Sequence, residues 1–260
     1  MNFKTINVAQ SEGIATITLN RPDKRNAISF ELVDELMHAL EAVEKSDSQV
    51  LIITGAGKAF CAGMDLENLK ALLGKNHDEN VKDSATMARL FRAIYEFPRP
   101  TIAAVNGAAI AGGTGIATIC DFTLAVPEAK FGYTEVRIGF VPAIVSSFLV
   151  MQVGHKIARD LLLTGRLFDA MEGQRIGLVN EVVAPAELIP RARELALSLM
   201  ENSPSSVRLT KKLINGFIRD QLDRQIAEAV EDNARIRTTG DFREGISSFL
   251  EKRKPYWRGK

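Results

Sequence analysis

The stretch 103-AAVNGAAIAGGTGIATICDF-122 is apolar or small almost throughout, and Asp121 is its only charge. Gly112 and Gly113 stand side by side within it, followed by Thr114 and Gly115. The overlapping segment 101-TIAAVNG-107 reads as a buried strand, the glycines precede a short helix, and 122-FTLAV-126 reads as another strand. A strand ending at Gly107, then a Gly-Gly pair, then a helix exposes backbone N–H groups at the helix N-terminus. Those donors have no intrahelical partner, and the helix dipole there favours negative charge. Glycine lets a ligand come close to the backbone, so an anion or a developing oxyanion suits the place. Tight packing of a helix on a strand is the simpler explanation of a Gly pair taken alone. The spacing is neither GxGxxG nor a Walker A motif, which argues against a phosphate cradle.

Outward from this stretch the pattern is mixed. Residues 3–9 and 13–19 read as strands around a Ser11-Glu12-Gly13 turn, with alternating faces in the second. A helix is expected from about Ser29, which can cap it, because Val33, Leu36, Met37, Leu40 and Val43 recur at helical spacing. The run 50-VLIITG-55 is a short apolar strand, 74-GKNHDENVKD-83 reads as a mobile surface loop, and a helix over about 84–96 leads to Pro98 and Pro100. After about residue 187 the pattern turns helical. Ser203-Pro204 is an N-cap with proline at the first helical position, and Asp241 with Glu244 resembles a capping box opening the last helix. These features predict an α/β core over residues 1–190 and a helical C-terminal region over 191–260.

Composition narrows the function classes. The 260 residues are 46% hydrophobic and 25% charged, an ordinary globular make-up. Net charge is +1, so no overall footprint argues for nucleic acid or a membrane surface. The two cysteines, Cys61 and Cys120, and the three histidines form no CxxC or HExxH spacing, and no metal site is expected. Free cysteines in apolar surroundings, no signal-like N-terminus and no run of about 18 apolar residues point to a cytoplasmic protein without a membrane span.

A second junction changes the reading of the glycines. The segment 55-GAGKAFCAGMDLENL-69 also runs from a strand through small residues into a helix start, so its N–H groups can supply a second donor. Two such junctions are what a two-donor oxyanion hole needs. With 20-NRPDKRNAIS-29, 58-KAFCAGMDL-66, 101-TIAAVNGAAIAGG-113, 131-FGYTEVRIGFVP-142 and 245-GISSFLEKRKP-255, the chain resembles the enoyl-CoA hydratase/isomerase (crotonase) superfamily over essentially its whole length.

The resemblance implies a spiral of ββα units with a helical trimerisation region, assembled as a homotrimer or homohexamer. It implies an acyl-CoA thioester as substrate, with coenzyme A entering as part of that substrate and no separate cofactor. The backbone N–H groups of Met64 and Gly112 would hold the thioester oxygen. Lys24, Arg25, Ala27, Ala62, Asp65 and Leu66 would line the CoA cleft, and Phe249 and Lys252 on the last helix would help bind CoA, often that of a neighbouring subunit. Outside that pattern, 252-KRK-254 reads as a solvated helix end.

Glu135 occupies the place of a catalytic carboxylate, and its apolar flanks suggest partial burial, which raises a carboxyl pKa toward that of a general base. The departure from the family is Gly115, where two-carboxylate hydratases carry a second Glu. Asp121 is expected to be structural, Asp65 to fix its loop, His77 to be a solvated loop residue, and Tyr133 either to orient substrate or to pack. The bulkier 141-VPAIVSSFL-149 predicts an altered acyl pocket. One base suffices to shift a double bond, so the expectation leans slightly to isomerisation. Hydration, on a branched or glutaconyl-type acyl group among others, is the alternative, and thioester hydrolysis a weaker one. A non-catalytic acyl-CoA-binding protein is the competing class.

Overall fold

A computed structural model describes residues 3–259. The chain opens with a hairpin of β1 (Ile6–Ser11) and β2 (Ile14–Leu19), paired antiparallel with Ser11 opposite Ile14. Glu12 and Gly13 both take positive φ, 52° and 75°, the two-residue turn that matches strand twist. The first strand lies two or three residues later than the expected 3–9. Helix α1 (Phe30–Glu44) follows, with Ser29 Oγ accepting from Leu32 N at 3.2 Å, and its Leu32, Val33, Leu36, Leu40 and Val43 are buried.

The chain then becomes a staircase. Strands β3 (Val50–Gly55) and β4 (Ala59–Cys61) are followed by α2 (Leu66–Ala71) and α3 (His77–Tyr95). Strands β5 (Thr101–Val105) and β6 (Ala108–Ile110) are followed by α4 (Gly112–Ile119), and β7 (Phe122–Ala125) and β8 (Lys130–Gly132) by α5 (Ala143–Thr164). Next come β9 (Phe168–Asp169), α6 (Ala170–Arg175) and β10 (Glu181–Val182). Six strands form one sheet in the order β1-β2-β3-β5-β7-β10, parallel from β2 onward, and four form a second in the order β4-β6-β8-β9. Each strand–strand–helix pass thus adds one strand to each sheet, which is the ββα spiral. The short sheet was not anticipated, because its strands have only two or three residues each.

Helix α7 (Leu188–Met200) packs on β3, β5 and β7 of the long sheet. Helices α8 (Pro204–Gly216), α9 (Arg219–Ile236) and α10 (Gly240–Leu250) complete the helical C-terminal stretch. α9 lies against α3 and α5, and α10 against α2 and the 3-10 turn Glu135–Ile138. No helix among the described residues is long and apolar enough to cross a membrane.

Two local expectations are corrected. Residues 77–83 are the first two turns of α3, not a loop, because Asn76 and Glu79 form a reciprocal capping box. The last helix is capped by Thr239, which accepts from Phe242 N at 3.1 Å. Asp241 instead accepts from the N–H groups of Arg258 and Gly259, and Glu244 pairs with Arg253, so both acids tie down the C-terminal tail.

The loop that frames the future cleft is held by one side chain. Asn26 is fully buried at φ 55°, and its Nδ2 donates to Ala56 O at 2.9 Å and Ala59 O at 2.8 Å while Oδ1 accepts from Arg21 N at 2.9 Å. Asn26→Ala strands these buried groups and puts alanine in a left-handed conformation. It should lower stability by about 2–4 kcal/mol, read as a reduced midpoint in urea denaturation with an unchanged slope.

Candidate active site

Residues 25–28 and 62–65 zip together. Ala62 N donates to Arg25 O at 3.0 Å, Ile28 N to Gly63 O at 2.7 Å and Asp65 N to Ile28 O at 2.9 Å. Met64 sits opposite Ile28 in this ladder, and its own N–H donates to no protein acceptor among the described residues. Asp65 is buried and caps α2 by accepting from Glu67 N at 2.9 Å, while Arg21 Nη2 donates to its other oxygen at 2.8 Å. Burial acts to raise its pKa, but the Arg21 hydrogen bond, the Glu67 N–H and the charges of Arg21 and Lys24 prevail and hold it below the ordinary carboxyl value. Asp65 is therefore a loop anchor.

The second junction lies beside the first. Ala111 is the N-cap of α4 at φ 51° and ψ −122°, a conformation that normally favours glycine. Its N–H donates to Gly132 O at 2.7 Å, and its carbonyl accepts the first intrahelical bond, from Gly115 N at 3.1 Å. Gly112, the first helical residue, therefore presents an N–H with no intrahelical acceptor. Gly113 answers to packing: a Cβ there would meet Cys61 O at 2.3 Å, so only glycine lets α4 press against β4. The Gly pair thus has two jobs, an open donor at 112 and close approach at 113.

Both junctions border one cleft of about 240 Å³, together with Glu135. Phe91 of α3, Phe140, and Ala143 to Val145 at the start of α5 give it apolar walls. Glu135 opens a 3-10 turn, is 8% exposed, and its Oε2 has no hydrogen-bond partner among the described residues. Burial pushes its pKa up to about 7, offset only in part by its own backbone N–H. It is the one carboxylate lining the cleft among the described residues.

Position 115 is filled from outside. A Cβ on Gly115 would lie 2.4 Å from Phe91 Cε1 and 2.6 Å from Val145 Cγ1, and both residues line the cleft. The space a second acid would need is an apolar contact.

The remaining candidates are dispersed. Lys24 is exposed at the end of a short 3-10 turn, Pro22–Lys24, and Arg25 is exposed just after it; Ala27 is buried, Ala62 is half-buried at the cleft, and Leu66 is exposed at the start of α2. Phe249 is half-exposed and lines the cleft of its own chain, whereas Lys252 is exposed just beyond α10 and does not line it. His77 lies on α3 with Nε2 3.2 Å from Glu231 Oε1, away from the cleft. The Tyr133 hydroxyl is buried 3.0 Å from Thr118 Oγ1, so Tyr133 packs. Asp121 accepts from Thr101 N at 2.7 Å and Lys211 Nζ at 2.6 Å, a structural tie. Asn233 of α9 and Arg237 just after it are polar cleft residues that escaped the sequence reading. Their i, i+4 spacing was the available signal, but charged residues surround them in sequence.

The buried carboxyl leaves a thermodynamic signature. Between 4.5 and about 7 the folded chain retains a proton on Glu135 that the unfolded chain has released, so this group's contribution to stability falls as pH rises through that window. Glu135→Gln removes the dependence. Relative to wild type, the variant should gain on the order of 3 kcal/mol in stability between pH 4.5 and pH 8, measurable as diverging denaturation midpoints. A constant offset between the two proteins would show that Glu135 ionises normally.

Comparison with known proteins adds an independent line. The family model described as enoyl-CoA hydratase/isomerase matches residues 9–260. A short-chain-enoyl-CoA hydratase of Clostridium acetobutylicum is 36% identical over 95% of this chain and 95% of its own length. A crotonyl-CoA hydratase of Syntrophomonas wolfei is 36% identical over 98% of each. Among solved structures, an enoyl-CoA hydratase/isomerase from Xanthobacter autotrophicus Py2 superposes with a TM-score of 0.89 at 30% identity, covering 96% of this chain and 97% of that one. With the staircase of ββα units and the sequence agreeing end to end, the chain belongs to the enoyl-CoA hydratase/isomerase family.

Proposed function

We propose that the cleft binds an enoyl-CoA thioester with its carbonyl oxygen on the Met64 and Gly112 N–H groups, and that Glu135 moves a proton along the acyl chain. The observation that carries this is Glu135 itself, a buried carboxyl with a free oxygen beside two unspent backbone donors. Polarising the thioester carbonyl acidifies the α-carbon. Glu135 takes the C2 proton of a 3-enoyl-CoA, and the electron pair spreads into a dienolate whose oxygen rests on the two donors. Returning the proton at C4 leaves the double bond between C2 and C3. The step begins and ends with Glu135 as carboxylate, and its pKa near 7 suits both halves.

Isomerisation is favoured over hydration because hydration needs water activation as well as proton delivery, and Phe91 and Val145 occupy the place of a second acid. Hydration by Glu135 and an ordered water is the second reading, supported by the names of the relatives, which are hydratases. The nucleotide end of CoA would run over Lys24, Arg25, Ala27, Ala62, Asp65 and Leu66, with Phe249 at the cleft and Lys252 toward a phosphate. No separate cofactor is called for. The exposed Leu209, Leu213, Ile214 and Phe217 of α8 and the turn after it suit a subunit interface in a homotrimer or homohexamer.

Wild type should exchange the acyl α-proton with solvent deuterium, and Glu135→Gln should bind CoA esters but lose exchange. The kcat/KM for a 3-enoyl-CoA should exceed that for hydration of the matched 2-enoyl-CoA. Fast hydration with negligible isomerisation would reverse that order while keeping Glu135 as the base. Binding without any exchange in wild type would favour a non-catalytic acyl-CoA-binding protein.

The donors can be tested apart from the base. Met64→Ala keeps the N–H and should retain activity within about tenfold. Gly112→Pro removes the donor, although it also restricts Ala111, and in a folded variant it should cost about 10²–10³ or more in kcat. Equal losses in two folded variants would mean that the Met64 side chain, not its N–H, does the work.

A further inference from the structure

Arg237 caps the C-terminus of α9 and is 4% exposed, yet it lines the cleft, as does Asn233 one helical turn earlier. Its Nη2 donates to Asn233 Oδ1 at 2.7 Å and its Nη1 to Asn80 Oδ1 at 3.3 Å, but Nε–H has no acceptor among the described residues. One guanidinium face lies over the Phe140 ring, 5.3 Å from its centroid. Among the described residues the one carboxylate within ion-pair distance is Asp83, 3.6 Å from Nη1, and Asp83 is also paired with Lys75. Two cations share one anion, which leaves surplus positive charge beside a cleft whose one lining carboxylate among the described residues is Glu135. Burial lowers the guanidinium pKa to about 10, against the pull of Asp83, so it stays charged at neutral pH. Asn233 Oδ1 is spent on Ser84 Oγ, at 2.7 Å, and on Arg237, while its NH₂ donates to nothing among the described residues.

A buried cation this short of partners is costly unless a ligand completes it. The cleft that Met64 and Gly112 border is lined as well by α3, the start of α5 and the end of α9. We propose that Arg237 and Asn233 form a carboxylate subsite at the acyl end of the cleft, so that the preferred substrate is an enoyl-CoA whose acyl chain ends in a second carboxylate. This rests on the thioester placement proposed above. A neutral acyl chain offers Arg237 Nε no acceptor, and sites built to hydrogen-bond a substrate group discriminate strongly against analogues lacking it.

The test compares binding of two saturated, unreactive probes, glutaryl-CoA and pentanoyl-CoA, by titration calorimetry. They share the CoA moiety and an unbranched five-carbon acyl chain, and differ in the terminal carboxylate. Wild type should bind glutaryl-CoA at least about tenfold more tightly. Arg237→Met should bring that ratio close to one, and Asn233→Ala should reduce it. General damage to the cleft weakens both probes and leaves the ratio in place, so the ratio isolates the subsite. If Arg237→Met does not fold, Arg237→Lys, which keeps the charge but loses the planar fork, should lower the ratio in its place. Equal binding of the two probes by wild type, or an unaltered ratio in a folded Arg237 variant, would overturn the subsite alone. Binding of neither probe would overturn the acyl-CoA reading beneath it as well.

Discussion

The close approach of the α4 N-terminus to β4 is the contact on which the site depends. With no Cβ at Gly113, the helix start sits against the carbonyl of Cys61, closer than any side chain would permit. That contact brings two strand-to-helix junctions to one wall. The Ala62–Asp65 loop is meanwhile held by its ladder to residues 25–28 and by the Arg21–Asp65 pair. Among the described residues, neither Met64 nor Gly112 then has a protein partner for its N–H. A backbone donor near a cleft is ordinarily consumed by secondary structure; here the packing of glycine on a carbonyl withholds two of them.

Electrostatics in the cleft follows from desolvation. Apolar walls raise the Glu135 pKa and lower that of Arg237, each toward its neutral form, by the same burial. The outcomes differ because the starting values differ. A carboxyl moved up to about 7 is poised to give and take a proton at neutral pH, whereas a guanidinium moved down to about 10 remains a fixed charge. One buried group therefore suits proton transfer and the other recognition.

Legibility in the sequence tracked the range of the determining interaction. The hairpin, the Ser29 cap, the strand 50–55 and the turn to helix after residue 187 were readable because alternation and capping act within a few residues. The family motifs pointed to Met64, Gly112 and Glu135, which the fold brings to one cleft. Strands β4, β6, β8 and β9 were not, since segments of two or three residues carry no period, and their pairing is set by the spiral itself. The polar run 74–83 misled because hydrophilicity mimics a loop, whereas the Asn76–Glu79 cap decides for helix. Arg237 was hidden because burial of a charge depends on which residues α3 and α9 bring together, including Asn80 and Asp83, some 150 positions away.

Gly115 shows how such a site differs from one that has merely lost a residue. If the acid had simply been deleted, the structure would hold an empty polar notch into which a carboxylate fits again. Instead Phe91 and Val145 close over the glycine to within contact of where its Cβ would be. Restoring an acid there means displacing an aromatic ring that also stacks on Phe148, in a core whose packing resists added volume. The apolar wall that excludes a second carboxylate is also part of the wall that desolvates the first. A water placed against it would find Glu135 as its one carboxylate partner among the described residues that line the cleft.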